Sequence, residues 1–295
     1  MNLANTNSSP FDLNNDTAYQ QWRQHKLDQY PDSIESLIVE VKDPKQLSKA
    51  EHEAMMQRIS KTNMVIYAGP TGDDPDRDIP RQIGLQFGLR SLDNNTGADD
   101  EGVTSLEVKQ DQWHKHYIPY TDRPIHWHTD GYYNSLSQQI HGLLLHCVRP
   151  AAQGGENALM DHEIAYIMLR DIDPVLIYAL MHDHTMTIPE NRTDEKVDRP
   201  ERSGPVFMSA PDGSLHMRYT ARKRNIIWQK NEVTQRAVNT LSEILDHDSP
   251  YIFRATLESG QGLICNNVLH DRSGFNDNDH AARLLYRLRY YDRIN

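Results

Sequence analysis

Two histidines and one aspartate are the residues whose types and spacing best support chemistry in this chain. His128 and Asp130 are separated by a single residue, and His270 lies far downstream. Residues two positions apart on a strand point to the same face, so His128 and Asp130 can reach one ion, whereas on a helix they would diverge. Two imidazoles and one carboxylate form a facial triad that holds Fe(II) and leaves other coordination positions open. The pattern predicts a non-haem iron oxygenase.

The segments around these residues favour strands that end at a ligand site. Pro124 precedes the first histidine, and proline is tolerated at the start of a strand but not within a helix. His270 follows an apolar run at residues 262–265 and a polar pair, an arrangement expected at the mouth of a barrel. Each residue alone also has a plainer interpretation. A His-x-Asp triplet is common by chance, and His270 could belong to a surface loop.

Arginines alternate along the last predicted strand, at residues 283–291. Arg283, Arg287 and Arg289 share one face of that strand. If this face points inward, the guanidinium groups must meet an anion, because an unpaired buried charge is costly. The planar guanidinium groups of Arg283 and Arg287 can each donate paired hydrogen bonds to a carboxylate, so the two arginines suit a dicarboxylate ligand. An outer face with surface salt bridges is the alternative, and the alternation of the residues leaves both interpretations open.

The elements that must position these residues are mostly short strands. About ten strands follow residue 104, with helices predicted at residues 162–180 and 232–247. This order indicates a mostly β fold with peripheral helices around a double-stranded β-helix (jelly-roll) core. Residues 1–15 are predicted to form a disordered arm and residues 16–295 a single domain. The charged segment 191–203, which contains Pro200, is predicted to be a mobile loop over the mouth of the site.

The overall charge and the cysteine content limit the function classes. The net charge of −11 argues against binding to nucleic acid or to anionic membranes, which both need a positive field. No run approaches the roughly 20 apolar residues that a membrane helix requires. Cys147 and Cys265 are the only cysteines, too few for a disulfide framework, so we expect a cytoplasmic protein. A homo-oligomer is compatible with the sequence, which does not reveal an interface.

Four motifs, in order along the chain, resemble the TauD/TfdA family of Fe(II)- and 2-oxoglutarate-dependent dioxygenases. They are Trp127-His128-Thr129-Asp130, Gly154-Gly155-Glu156-Asn157, Asn267-Val268-Leu269-His270-Asp271-Arg272, and Arg283 with Arg287. The similarity extends over roughly residues 60–292, and its approximate spacing makes it specific. The resemblance implies that His128, Asp130 and His270 bind Fe(II), and that 2-oxoglutarate and O₂ are co-substrates.

The resemblance also implies roles for residues around the co-substrate. Arg287 would hold the distal carboxylate of 2-oxoglutarate, with Arg283 near its keto-acid end. Asn157 stands where the family usually has a threonine or serine that touches the distal carboxylate. The asparagine amide can donate a hydrogen bond to the same group, with altered geometry.

The implied reaction is hydroxylation of an aliphatic C–H bond of a small polar metabolite, with release of succinate and CO₂. Desaturation and ring closure remain open. The residues expected to bind this substrate are Tyr132, Tyr133, Asn134, Arg218 and Arg222. The tyrosine pair is also weakly similar to the gamma-butyrobetaine hydroxylase branch. The two arginines suit an anionic group, and a solvated basic edge that compensates local acidity is the alternative.

Two other function classes remain to be compared with this prediction. A cupin-type metalloenzyme would use His126 and His128, but that pattern requires a glutamate a few residues later, which residues 132–135 do not provide. A non-catalytic ligand-binding jelly-roll protein would not explain why the triad and the arginine pair occur together in this order.

Overall fold

The chain folds into two compact units, which are described separately. A computed structural model describes residues 9–93, 102–109, 111, 117–193, 196–222, 224, 226–278 and 281–295. The helical unit comprises Met1–Tyr30 and His162–Ser249, and the sheet unit comprises Pro31–Asp161 and Pro250–Asn295. No helix in the described ranges combines the length and apolar character needed to cross a membrane. The single domain over residues 16–295 stays a prediction.

Strands outnumber helices in the described residues, which confirms the predicted mostly β fold with peripheral helices. The helices are α1 Asp16–Leu27, α2 Lys49–Thr62, α3 Asp78–Gln86, α4 His162–Ile172, α5 Pro174–Leu180 and α6 Glu232–Asp246. The strands are β1 Ile38–Glu40, β2 Met64–Ala68, β3 Thr104–Leu106, β4 Ile125–His128, β5 Gly142–Arg149, β6 Gln153–Gly154, β7 Asn157–Met160, β8 Met186–Ile188, β9 Asn191–Thr193, β10 Lys196–Arg199, β11 Arg202–Gly204, β12 Phe207–Ser209, β13 Leu215–Met217, β14 Ile227–Trp228, β15 Phe253–Ala255, β16 Gln261–Cys265, β17 Leu269–Arg272, β18 Phe275–Asn276 and β19 Leu284–Tyr290.

Two sheets of the sheet unit position the candidate site. The larger has the order β1-β2-β16-β5-β19-β3, and the smaller has the order β15-β7-β17-β4. One face of the larger sheet is the hydrophobic core, where Leu144 and Leu288 pack with Met55, Ile59 and Ile83 of helices α2 and α3. Apolar burial of this kind is the main stabilising contribution to folding. Because the helices cover this face, side chains on the opposite face of β19 point towards the smaller sheet.

Two segments of the helical unit differ from the sequence prediction. The helix predicted over residues 162–180 is two helices, because Pro174 occupies the first turn of α5 and Asp173 caps it through its side chain. The segment predicted to be a mobile loop contains β9, β10 and β11, of which β9 and β10 form a hairpin and β11 pairs with β8. Backbone pairing therefore orders a sequence that has no apolar periodicity.

Part of the predicted disordered arm is folded. Residues 1–8 lie outside the described residues, but Phe11 is buried and its ring lies 5.1 Å from that of Trp22 and 5.4 Å from that of Tyr166. Arg170 also donates a hydrogen bond of 2.8 Å to the carbonyl of Pro10. The arm prediction is therefore wrong for residues 9–15, because one aromatic side chain anchors them.

A buried histidine lies within the larger sheet, next to the strands that lead to the site. Tyr67 Oη and His146 Nδ1 are 2.8 Å apart, and Gly262 is the register partner of both residues. A Cβ at position 262 would lie 2.3 Å from Tyr67 Cζ, so only glycine fits there. Burial lowers the pKa of His146 to about 4, which keeps the ring neutral.

We expect this histidine to make the fold sensitive to mild acid. The pKa of His146 in the folded protein is about 4, below its ordinary value of 6.5. The contribution of the neutral ring to stability is therefore fully present above pH 6.5 and is lost as the pH falls towards the pKa of the folded protein. Between pH 7 and pH 5 the loss is about 2 kcal/mol of unfolding free energy. Denaturant unfolding of metal-free wild type and His146→Leu at both pH values measures it. An equal pH dependence in the two proteins would contradict this account.

Candidate metal centre

Strands β4 and β17 of the smaller sheet bring the predicted ligands together. They pair antiparallel with His270 directly opposite His128, and the two imidazole centroids are 4.2 Å apart. The metal-binding atoms of His128, Asp130 and His270 all lie within 4.8 Å of one another, the one such group found among the described residues. His126, the ligand of the cupin alternative, is exposed and outside the group. The spacing is that of a three-ligand metal site.

Backbone carbonyls orient both imidazoles. His128 Nδ1 lies 2.9 Å from the carbonyl oxygen of His126, and His270 Nδ1 lies 2.9 Å from that of Val268. A ring that donates from Nδ1 keeps the lone pair of Nε2 for a metal. Burial, together with repulsion from His270, lowers the pKa of His128 to about 3. The ring is therefore neutral at physiological pH, as a metal ligand must be.

The carboxylate of Asp130 is ionised and incompletely satisfied. Burial would raise the pKa of Asp130, but Arg287, Arg289 and the two histidines together hold it well below its usual range. Asp130 Oδ1 lies 3.7 Å from His128 Nε2 and 3.4 Å from Arg287 Nη1. Asp130 Oδ2 is buried and accepts no hydrogen bond. A buried carboxylate oxygen without a donor is costly, and a cation at this position would satisfy it.

Asn267, just before β17, is hydrogen-bonded to Asp130, just after β4. Its Oδ1 accepts a hydrogen bond of 2.8 Å from the backbone N–H of Asp130, and its Nδ2 donates to the carbonyls of Asp130 and Ile140 at 2.9 and 2.6 Å. The residue is buried and adopts a left-handed conformation with φ of 50°, which asparagine tolerates better than most residues. Two of these side-chain hydrogen bonds therefore fix the backbone of Asp130 relative to the segment that leads to His270, and the third anchors Asn267 to Ile140.

The arginine face of β19 points towards the triad, which removes the alternative of an outer face. Arg283 is 5% exposed and Arg289 is 2% exposed, while the side chain of Arg287 is 12% exposed and touches Asp130. The guanidinium of Arg283 lies over the ring of Phe275, with 5.0 Å from Cζ to the centroid. Burial lowers the pKa of Arg283 to about 10, and its Nη1 is buried without a partner. A buried guanidinium group with an unpartnered nitrogen would be stabilised by a bound anion.

A pocket opens beside Arg283. It is lined by Pro150, Ala151, Gly154, Gly155, Asn157, Thr256, Leu257, Arg283 and Leu285. Asn157 Nδ2 already donates to the carbonyl of Asp271 at 2.6 Å, and Asp271 Oδ1 accepts from the N–H of Ala158 at 2.8 Å. These bonds tie β7 to β17 next to His270. Asn157 thus has a structural contact, and Thr256 supplies a hydroxyl group on the same pocket wall.

The predicted substrate-binding residues have different environments. Tyr132 and Tyr133 are half-buried, and their rings meet edge-to-face with centroids 5.2 Å apart. Asn134 lies in the same turn, but its Nδ2 donates to the carbonyl of Gln138 at 2.9 Å, which engages this side chain locally. The sequence therefore located the turn after the metal-binding strand correctly, although not every side chain in it is available to a ligand.

The two arginines predicted to bind substrate belong to the helical unit. Arg218 is 1% exposed, and its guanidinium donates to the backbone carbonyls of Met186, Gly204 and Arg202 at 2.9, 3.4 and 3.0 Å. These bonds join β8 to β11, so the prediction that Arg218 meets an anionic substrate is replaced by a structural role. Arg222 is exposed.

Comparison with known proteins gives a consistent family assignment. Residues 26–289 match the family described as taurine catabolism dioxygenase TauD, TfdA family. A uridine-5'-phosphate dioxygenase from Streptomyces sp is 30% identical over 194 residues, which are 64% of this chain and 69% of that protein. Another, from Amycolatopsis sp, is 29% identical over 273 residues, 87% of this chain and 97% of that protein.

A solved structure of low sequence identity shares the fold. It is the non-heme iron oxygenase OrfP in complex with Fe, succinate and (3S)-hydroxy-L-Arg, with a TM-score of 0.60 and 15% identity over 84% of this chain and 82% of that one.

We expect Asn267→Ala to weaken metal binding without removing a ligand. Loss of its three hydrogen bonds frees the backbone of Asp130, and changes of this kind typically cost about 10–100-fold in metal affinity. Anaerobic titration with Fe(II) measures the dissociation constant. His126→Ala is the matched control, because its side chain is exposed on the same strand. Equal affinities for Asn267→Ala and the control, or weaker binding only in the control, would count against the geometry described.

Proposed function

Since the chain belongs to the taurine catabolism dioxygenase TauD, TfdA family and is an Fe(II)- and 2-oxoglutarate-dependent dioxygenase, we propose that His128, Asp130 and His270 hold its iron. The family membership confirms the resemblance found in the sequence and removes the cupin and non-catalytic alternatives. The observation that carries the proposal is the converging triad, in which one ligand atom of each residue lies within 4.8 Å of the other two and Asp130 Oδ2 is buried without a donor.

The donor set fits Fe(II) and its co-substrates. Two imidazoles and a carboxylate on one side leave coordination positions for a chelating keto acid and for O₂. The chemistry supplied there is oxidation of a substrate C–H bond, coupled to conversion of 2-oxoglutarate to succinate and CO₂. The protein orients the ligands: the backbone carbonyls hold the imidazoles, and Asn267 holds Asp130.

We assign the distal carboxylate of 2-oxoglutarate to Arg283, which reverses the order that the family resemblance implied. The keto-acid end must chelate the iron, so the distal carboxylate lies away from the triad. Arg287 contacts the metal ligand Asp130, whereas Arg283 lines the neighbouring pocket with its Nη1 unpartnered. The two residues are also four positions apart, about 13 Å along an extended strand. Thr256 supplies the hydroxyl contact, since Asn157 is engaged with Asp271.

This assignment predicts different effects of the two arginines on co-substrate binding. Arg283→Gln should weaken 2-oxoglutarate binding by about 10-fold or more, because it removes a charge-assisted contact in a buried pocket. Arg287→Gln should change it less, and Thr256→Val should show an intermediate loss that Thr256→Ser restores. Anaerobic calorimetric titration of the Fe(II)-loaded proteins measures the affinities. A larger loss in Arg287→Gln would support the opposite order.

For the substrate, we propose a small molecule that combines a planar ring with an anionic group. Arg287 offers a cation beside the triad, and its Nε is buried without a partner. Tyr132 and Tyr133 offer aromatic surfaces in the turn after Asp130, on which a planar ring can stack. A cation at the site disfavours a quaternary ammonium substrate. The two relatives named uridine-5'-phosphate dioxygenase support a nucleoside 5'-phosphate as the first class to test.

A direct assay distinguishes this substrate class from others. Uridine-5'-phosphate should stimulate succinate formation, and uridine, which lacks the anionic group, should not. Arg287→Gln should lose at least about 10-fold of the stimulation, because a charge-assisted contact is removed. Arg90→Gln is the matched control, since Arg90 is an exposed arginine of the same sheet unit. Loss in the control alone, or no stimulation of the wild type, would contradict the proposed substrate class.

We place the protein in the cytoplasm. Cys147 and Cys265 are both free and buried, which is compatible with a reducing compartment.

A further inference from the structure

A buried charge network stands next to the metal centre, and the sequence motifs did not assign it a role. Arg289 follows Arg287 on the same face of β19, and its side chain is 2% exposed. The guanidinium bonds to the Asp93 carboxylate through Nη2 and donates from Nη1 to Tyr133 Oη at 2.7 Å. Tyr291 Oη donates to the other oxygen of Asp93 at 2.7 Å. The network thus links three separate segments of the sheet unit.

The partners of Arg289 explain why a charge is tolerated at this depth. Burying an arginine without an anion is costly, and Asp93 supplies the counter-charge. The backbone makes a second link, because the N–H of Asp93 donates to the carbonyl of Arg289 at 2.8 Å. The position of the guanidinium is therefore set by Asp93 and by the sheet, so it can serve as a fixed point for Tyr133.

Tyr133 ends the turn that begins at the metal ligand Asp130. Gly131 has φ of 68°, a conformation that favours glycine, and the N–H of Asn134 donates to the carbonyl of Gly131 at 2.8 Å. Asn267 holds the start of this turn at Asp130, and Arg289 holds its end at Tyr133. The turn spans residues 130–133, so Tyr133 is only three residues from the carboxylate of Asp130 along the chain.

We propose that Arg289 and Asp93 are positioning residues that act through Tyr133, locking the Asp130–Tyr133 turn and so the carboxylate that binds the metal. The proposal rests on the proposed function where it concerns which metal is bound. The rigidity of the turn does not depend on that function. It also gives the tyrosine pair a fixed orientation, because Tyr132 packs edge-to-face against Tyr133.

Two matched hydroxyl deletions test the proposal. Tyr133→Phe removes the bond between the turn and Arg289, while Tyr291→Phe removes a bond to the same network that does not involve the turn. The first readout is release of Fe(II) from the loaded protein to a chromogenic chelator. The second is hydrogen–deuterium exchange at residues 129–134, where the amides of Asp130 and Asn134 donate hydrogen bonds.

We expect Tyr133→Phe to release Fe(II) about 10-fold faster or more, the usual range for lost support of a metal ligand. Exchange at residues 129–134 should also accelerate, and Tyr291→Phe should stay within about twofold of the wild type in both readouts. If the network only stabilises the fold, Tyr133→Phe and Tyr291→Phe should change both readouts equally. That result would overturn the proposal, and so would an unchanged Tyr133→Phe. If the wild type retained no Fe(II), the proposed function would fail, and the exchange comparison would still decide this proposal.

Discussion

The pairing of β17 with β4 is the constraint on which the rest of the structure depends. It places His270 opposite His128 and brings Asn267 within reach of Asp130, so that three ligands from two distant parts of the chain converge. A shift of this register by one residue would turn His270 to the other face of the sheet. The amide of Asn267 holds this register, and the hydrogen bond from Asn157 to Asp271 ties β17 to β7 on its other side.

Charge complementarity determines how the site is built around this pairing. The three arginines on this face, Arg287 and Arg289 of β19 and Arg283 just before it, have different partners. Arg289 is compensated by Asp93, Arg287 faces the ionised Asp130, and Arg283 forms no ion pair in the described part of the chain and keeps a buried Nη1 without a hydrogen-bond partner. Because a buried charge without a partner is destabilising, the uncompensated guanidinium is the one that we assign to an anionic co-substrate. Arg289 thus makes a structural contact, Arg287 contacts the proposed metal ligand Asp130, and Arg283 is the one proposed to bind the co-substrate.

The sequence predicted that His128, Asp130 and His270 converge because the pattern around each residue is local. His128 and Asp130 are two residues apart at the end of a predicted strand, and His270 follows an apolar strand, which leaves few arrangements that are consistent with a mostly β fold. The roles of the arginines could not be read in this way, since alternation along β19 does not say which face is covered by helices α2 and α3. Arg218 likewise donates to three backbone carbonyls, which the sequence does not indicate. Asp93, which pairs with Arg289, is distant from it in the sequence. Contacts of this type appear only once the chain is folded.

The central claim is that 2-oxoglutarate chelates iron at the triad of His128, Asp130 and His270. Anaerobic visible absorption of the Fe(II)-loaded protein, before and after addition of 2-oxoglutarate, tests it most directly. We predict a weak metal-to-ligand charge-transfer band in the wild type and no band in His128→Ala at the same protein and iron concentrations. A wild type that is fully loaded with Fe(II) and shows no band, or a band that persists unchanged in His128→Ala, would contradict the account.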